Sequence, residues 1–221
     1  MHGSLAVKCK TNVRHGGKMT NGINRQLVLL IAISIICIGV LPIVSAADAS
    51  GDTLRISHAS PDQVDLINKL WGSDITIGEY METVHPEHLV DVPDEVKTQM
   101  FQRKMNWPDG KVENKITELS RLTSLTVTGY ITKVSSSRID FRGKSVLSSG
   151  TASYIYVEAF LKKGGSKVDS TAASAQGVGS VDTGYKMHFW PDDGTYRVDA
   201  WGYTITPGLE ASDQTGTITI P

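Results

Sequence analysis

Apolar residues follow three different rhythms along the chain, and each predicts a different kind of element. Residues 27–44 have no rhythm at all: they form an 18-residue run without a charge. Arg25 stands just before this run, with Lys8, Lys10, Arg14 and Lys18 upstream and no acidic residue before Asp48. A basic segment, an apolar segment and then Val44-Ser45-Ala46 make a secretory signal peptide cut after Ala46 or Ala47. Pro42 breaks the apolar helix near that site. Met19 is an alternative start. The competing expectation is an uncleaved signal anchor, because 18 apolar residues just span a bilayer. Both expectations carry the remainder across the membrane, since the positive charge flanks the inner side.

Between residues 60 and 105 the period is three to four, which predicts short helices. Ser60-Pro61-Asp62 opens one, with Ser60 as N-cap and Val64, Ile67, Leu70 and Trp71 on one face. Gly72 ends it. Thr76 and Glu79 form a capping box for a helix over residues 77–84, stopped by Pro86. Pro93-Asp94-Glu95 opens a third, with Val96, Met100, Phe101 and Met105 on one side and Arg103 and Lys104 at its end. Trp107-Pro108-Asp109-Gly110 reads as a turn, and residues 111–122 as a polar helix or linker. None of these helices is long enough to be stable alone, so all need a surface to pack on.

Beyond residue 122 the period becomes two. Leu125, Val127, Gly129 and Ile131 alternate with Thr126, Thr128, Tyr130 and Thr132. Residues 153–162 predict a second strand with Ile155, Val157, Ala159 and Leu161 on one face. Gly164-Gly165 turns it into residues 167–174. Residues 180–190 predict a strand with Val181, Tyr185, Met187 and Phe189 among its apolar positions. Asp192-Asp193-Gly194 leads into residues 195–205, and residues 215–220 form a last strand. The predicted fold class is therefore mainly β with a small α region. A leader (1–46) and a short helical region (47–121) precede an antiparallel β-sandwich domain (122–221). Asp192, Gly194, Tyr196 and Val198 match the start of strand F in immunoglobulin-like domains, where the tyrosine makes a corner. Val198 stands where those domains carry cysteine, and the alternative is an ordinary hairpin turn beside a buried tyrosine.

Charge and cysteine usage sharpen this organisation. Five of the 22 basic residues lie in 1–46, leaving 17 against 23 acidic residues, a net charge of −6. The acidity sits in residues 47–121, with 14 acidic and 8 basic residues; residues 122–221 balance at 9 each. No basic footprint for nucleic acid is present. Both cysteines, Cys9 and Cys37, belong to the leader, so the remainder has no disulfide, thiolate metal site or cysteine nucleophile. No Asn-x-Ser/Thr sequon occurs.

Candidate chemistry is sparse. Glu79, Glu82, His85 and His88 recur at spacing three and could hold a metal such as zinc, with His85 and His88 as its candidate ligands. A spacing of three drifts round an α-helix and Pro86 interrupts it, so a polar helix end is the alternative. Asp192 and Asp193 beside Gly194 could hold calcium or simply form a turn. No nucleophile elbow, P-loop or dinucleotide motif occurs, and no cofactor is implied.

Alternation places Arg197, Asp199, Trp201 and Tyr203 on the strand face opposite Tyr196, Val198 and Ala200. Tyr154, Tyr156 and Phe160 likewise lie opposite an aliphatic face, and Trp190 shares a face with Lys186 and His188. Trp190, Arg197, Asp199, Trp201 and Tyr203 are thus a candidate binding face for glycan or a protein partner. The same aromatic face is also the obvious place for the helices to dock.

The chain is similar to a group of exported proteins of methanogenic archaea with unknown function. The likeness is carried by Ile77-Gly78-Glu79-Tyr80, His85-Pro86, Lys104-Met105-Asn106-Trp107-Pro108 and Gly194-Thr195-Tyr196-Arg197-Val198. It implies location and architecture, with no activity attached. The expectation is an exported, non-catalytic binding or structural module of the cell envelope, secreted or at the cell surface, acting through the aromatic sheet face or the loops at one end of the sandwich. Its partner would be an envelope polymer or protein, with contact to the membrane through residues 27–44 if the leader is kept. The rival expectations are a secreted hydrolase of envelope polymers and a membrane-tethered accessory subunit.

Overall fold

A computed structural model describes residues 53–108 and 123–221. The leader, its cleavage or anchoring, and the predicted element over 111–122 lie outside the described residues. Among the described residues no helix is long and apolar enough to cross a membrane. The protein is mainly β, with antiparallel sheets.

Three layers stack on one another. The middle layer is a six-stranded sheet of β1 (Arg55–His58), β5 (Ser166–Ala175), β4 (Tyr154–Lys163) and β8 (Gly194–Ile205), in that order. The free edge of β8 pairs with both β9 (Glu210–Gln214) and β10 (Ile218–Ile220). On one side lies a four-stranded sheet, in which β3 (Arg138–Leu147) pairs with β2 (Leu125–Ser135). Its other edge is shared by β6 (Ser180–Asp182) and β7 (Lys186–Phe189). On the other side lie α1 (Pro61–Leu70), α2 (Ile77–Val84), a 3-10 turn (Pro86–Leu89) and α3 (Asp94–Gln102).

The helices begin where their caps dictate. Ser60 with Gln63, and Thr76 with Glu79, each form a reciprocal capping box. Pro93 precedes α3, whose first turn carries Asp94 and Glu95. Their apolar sides bury Val64, Ile67, Tyr80, Met81, Val84 and Met100 against Tyr154, Tyr156, Phe160, Trp201 and Tyr203 of the middle sheet. The opposite faces of the same strands carry Val157, Ala159, Leu161, Val198 and Ala200 into the core between the two sheets. β4 is therefore buried on both faces, and nine of its ten residues are buried.

β1, β3 and β9 carry no clear signal in the sequence. β3 alternates cleanly between buried and half-buried, yet two of its inward positions are Gly143 and Ser145. Small residues are required there because the sheets approach closely. Across the interface, a Cβ on Gly202 would lie 2.2 Å from Ser145 Oγ. β7 reverses the expected facing. Tyr185, Met187 and Phe189 are exposed, whereas Lys186 and His188 turn toward the buried carboxylate of Asp169. A buried carboxylate needs polar partners, and that requirement outweighs the apolar preference of an edge strand.

At the start of β8, Tyr196 Oη donates to the carbonyl of Asp192 at 2.7 Å. Although residues 47–121 differ in composition from the rest, β1 hydrogen-bonds to β5 and the helices cover the middle sheet. The described residues from Thr53 onward accordingly form one compact unit.

Candidate functional site

Glu158, in the centre of β4, has a side chain fully buried beneath the helices. Its Oε2 accepts hydrogen bonds from Tyr80 Oη and Tyr156 Oη, both at 2.8 Å. Its Oε1 meets His85 Nε2 at 3.0 Å and accepts from Ser170 Oγ. Four groups from α2, β4, β5 and the start of the 3-10 turn thus converge on one carboxylate. Every acceptor position of a buried carboxylate is costly to leave empty, and this one is saturated.

His85 extends the network outward. Its Nδ1 lies 3.2 Å from Oε1 of Glu87, whose side chain is 41% exposed. His88, also fully buried, faces Ser57 Oγ through Nε2 and Ser174 Oγ through Nδ1, both at 2.8 Å. The geometry follows from Pro86, which starts a 3-10 turn instead of ending all helical structure. In a 3-10 helix, side chains three residues apart stand nearly above one another. His85 and His88 therefore point to the same side, with Glu87 beside them. The two rings meet edge to face, 5.6 Å apart, while Glu79 and Glu82, earlier in the repeat, remain on α2.

The electrostatics are strongly coupled. Burial alone would lower the His85 pKa, but the charge and hydrogen bond of Glu158, helped by Glu87, lift it to about 9. Burial and the charge on His85 push His88 the other way, to about 4. Glu158 stays below its ordinary range, because His85 and the surrounding hydroxyls outweigh the burial that would raise it. Glu87 is held at about 2: burial opposes this, and the His85 hydrogen bond prevails. Burial and the facing carboxylate keep the hydroxyls of Tyr80 and Tyr156 well above their usual range.

Of the other acidic residues at that spacing, Glu79 is spent on the capping box with Thr76, and Glu82 is exposed. Asp192 and Asp193 form a turn, with Asp192 Oδ2 accepting from Lys163 Nζ at 3.2 Å. Glu158, Ser57 and Ser174 carry no motif. The available signal for Glu158 is its charge in the middle of the otherwise apolar run Tyr154-Ile155-Tyr156-Val157 and Ala159-Phe160-Leu161.

The five residues of the candidate binding face do not come together on an open surface. Trp201 and Tyr203 are fully buried in the helix-facing core, and Trp201 Nε1 donates to Glu210 Oε1 at 2.7 Å. The aromatic face is where the helices dock. Asp199 is buried and paired with Lys162 Nζ at 2.8 Å and with Arg197 Nε at 2.9 Å. Only Trp190 is widely exposed, at 82%, on a backbone with φ of 53°. Exposure of so large a ring on a left-handed residue is unusual.

Trp190 borders a different face, the outer side of the β2–β3–β7 sheet. There the Arg142 guanidinium lies between two rings, 4.3 Å from the centroid of Tyr130 and 4.6 Å from that of Tyr185. Arg138 lies 5.9 Å from the Phe189 ring and pairs with Asp140. Tyr185, Met187, Phe189 and Trp190 are all about half exposed or more. Stacked rings interleaved with arginine and aspartate offer both flat apolar contact and directional hydrogen bonds. No protein-family model, curated protein or solved structure matches the chain.

Proposed function

We propose that this protein is an exported binding module of the cell envelope that grips a glycan polymer with the outer face of its β2–β3–β7 sheet. The observation carrying this reading is the Tyr130–Arg142–Tyr185 stack, continued by Phe189 and the exposed Trp190. Sugar rings present flat C–H faces that stack on aromatics, and their hydroxyls suit planar guanidinium and carboxylate groups. Exposed apolar surface of this kind marks binding sites in soluble domains. Export is supported by the basic segment, the apolar run and the small residues before Ala47.

We further propose that the sandwich is immunoglobulin-like. The strands β2, β3 and the β6–β7 pair form one sheet, and β5, β4, β8 and the β9–β10 pair form the other. That order, with the tyrosine corner at Tyr196, supports the reading. The binding test is co-sedimentation of the purified chain with envelope polymer from its host. Binding is expected to fall at least tenfold in Trp190→Ala and Arg142→Ala, with the fold intact by circular dichroism. Unchanged binding in both variants overturns the surface, and mass spectrometry of the protein from membrane and medium fractions tests export.

A further inference from the structure

We infer that His85, Glu87 and His88 form a binding site for a divalent cation of zinc's chemical type, which fastens the 3-10 turn to the strands beneath it. One donor atom from each of the three residues lies within 4.8 Å of the others. His85 Nδ1 is 3.2 Å and His88 Nε2 is 4.0 Å from the same Glu87 oxygen. Tetrahedral zinc with bonds of about 2.0–2.2 Å sets its donor atoms roughly 3.3 Å apart. The first edge already has that length. The second, at 4.0 Å, and the edge between the two histidines, within 4.8 Å, are longer; Glu87, whose side chain is 41% exposed, is free to move in, and the two imidazoles would have to draw together by the remainder. Ser57 Oγ, on β1, lies 2.8 Å from His88 Nε2 and 3.5 Å from His85 Nδ1, at a fourth corner.

The outer partners of the two imidazoles are what a metal ligand needs. A ligating histidine is held by a hydrogen bond from its far ring nitrogen, often to a carboxylate. His85 Nε2 faces the buried Glu158 at 3.0 Å, and His88 Nδ1 faces Ser174 Oγ at 2.8 Å. That arrangement turns Nδ1 of His85 toward Glu87 and Nε2 of His88 toward Ser57 and Glu87, and the cation would take the place of the Nδ1 proton of His85, which is released to solvent on binding. Both rings are also packed in place: His85 lies against Tyr80 and Tyr156, and His88 edge-on against Tyr156.

The donor set selects the ion. Two imidazoles and one carboxylate suit zinc and its transition-metal neighbours, whereas calcium and magnesium take oxygen ligands. The charge of a divalent cation is matched by the carboxylates of Glu87 and Glu158. Arg55, whose charge reaches His88, is itself paired with Asp91 at 2.7 Å. The cation would link a four-residue turn to β1 through Ser57 and, one shell out, to β4 and β5 through Glu158 and Ser174. The role assigned is a structural staple in a region that carries no cysteine.

The test is cobalt titration of the full chain in detergent after exhaustive treatment with a chelator. Cobalt(II) at one equivalent is expected to give a saturable visible absorption band of four- or five-coordinate character, bleached by zinc. Zinc is expected to raise the melting midpoint by several degrees. Glu87→Gln, which alters only a half-exposed side chain, is expected to weaken cobalt binding at least tenfold and abolish the zinc-dependent shift. Glu158→Gln, which touches no ligand atom of the cation, is expected to weaken binding 10–100-fold. The inference is overturned if neither metal binds at one equivalent. It is equally overturned if Glu87→Gln, folded by circular dichroism, binds cobalt as tightly as the parent.

Discussion

Glu158 and His85 meet 3.0 Å apart, 73 residues apart in sequence, and neither side chain touches solvent. Their contact joins the end of α2 to the centre of β4, and so the helical layer to the sheet. Removing one member of such a pair strands the other. Glu158→Ala leaves the imidazole and the hydroxyls of Tyr80, Tyr156 and Ser170 without their acceptor. A loss of about 3–5 kcal/mol is expected. Glu158→Gln keeps the volume and one acceptor oxygen and loses less. Urea unfolding of the two variants measures the difference, and parent-like stability in Glu158→Ala would show that the pair does not hold the layers together.

The two tryptophans at 190 and 201 should behave oppositely. Trp201 is fully buried and bonded to Glu210, so Trp201→Ala opens a large cavity and costs about 3–5 kcal/mol. Trp190 is 82% exposed, so Trp190→Ala stays within about 0.5 kcal/mol of the parent. Thermal melts of both variants check this. Equal destabilisation would mean that Trp190 is covered in solution.

What was legible in the sequence divides along physical lines. The caps at Ser60 and Thr76 and the breaks at Gly72 and Pro86 are local, and the helices start and stop with them. The strands β2, β4 and β8 have strong apolar alternation or long apolar runs, β5 follows from the Gly164-Gly165 turn, and all four form within a few residues of expectation. β3 escaped because its inward positions are partly glycine and serine, chosen by the closeness of the other sheet. β7 was read inside out because Lys186 and His188 answer Asp169, a residue that no local pattern connects to them. His85 and His88 stand out by spacing alone. Their partners Glu158, Ser174 and Ser57 come from three separate strands, which only the folded chain brings together.

Tyr196 offers a test of the corner between β7 and β8. Its hydroxyl donates to the Asp192 carbonyl at 2.7 Å while its ring is buried between the sheets. Tyr196→Phe keeps the ring and removes the hydrogen bond, for an expected loss of about 1 kcal/mol. Tyr196→Ala removes the ring too and is expected to cost at least about 3 kcal/mol. Denaturant midpoints separate the two contributions; a Phe variant as damaged as the Ala variant would mean that the bond, and not the packing, carries the corner.

Asp169 should contribute to the acid limb of stability, beside Glu87 and Glu158. Burial would raise its pKa, but hydrogen bonds from His188 and Lys186 outweigh that and hold it below the ordinary range. A carboxylate whose pKa is depressed by folding binds fewer protons in the native state than in the unfolded one at mildly acidic pH. Its stabilisation is therefore complete above the unfolded value near 3.8 and is lost as pH falls through the native value. Asp169→Asn removes this titration. It also leaves Lys186 and His188 facing a neutral amide, so the variant is less stable than the parent at pH 7. Unfolding free energies measured from pH 7 down to pH 2 should converge for parent and variant at the acid end. A constant gap across that range would assign the acid limb to other carboxylates.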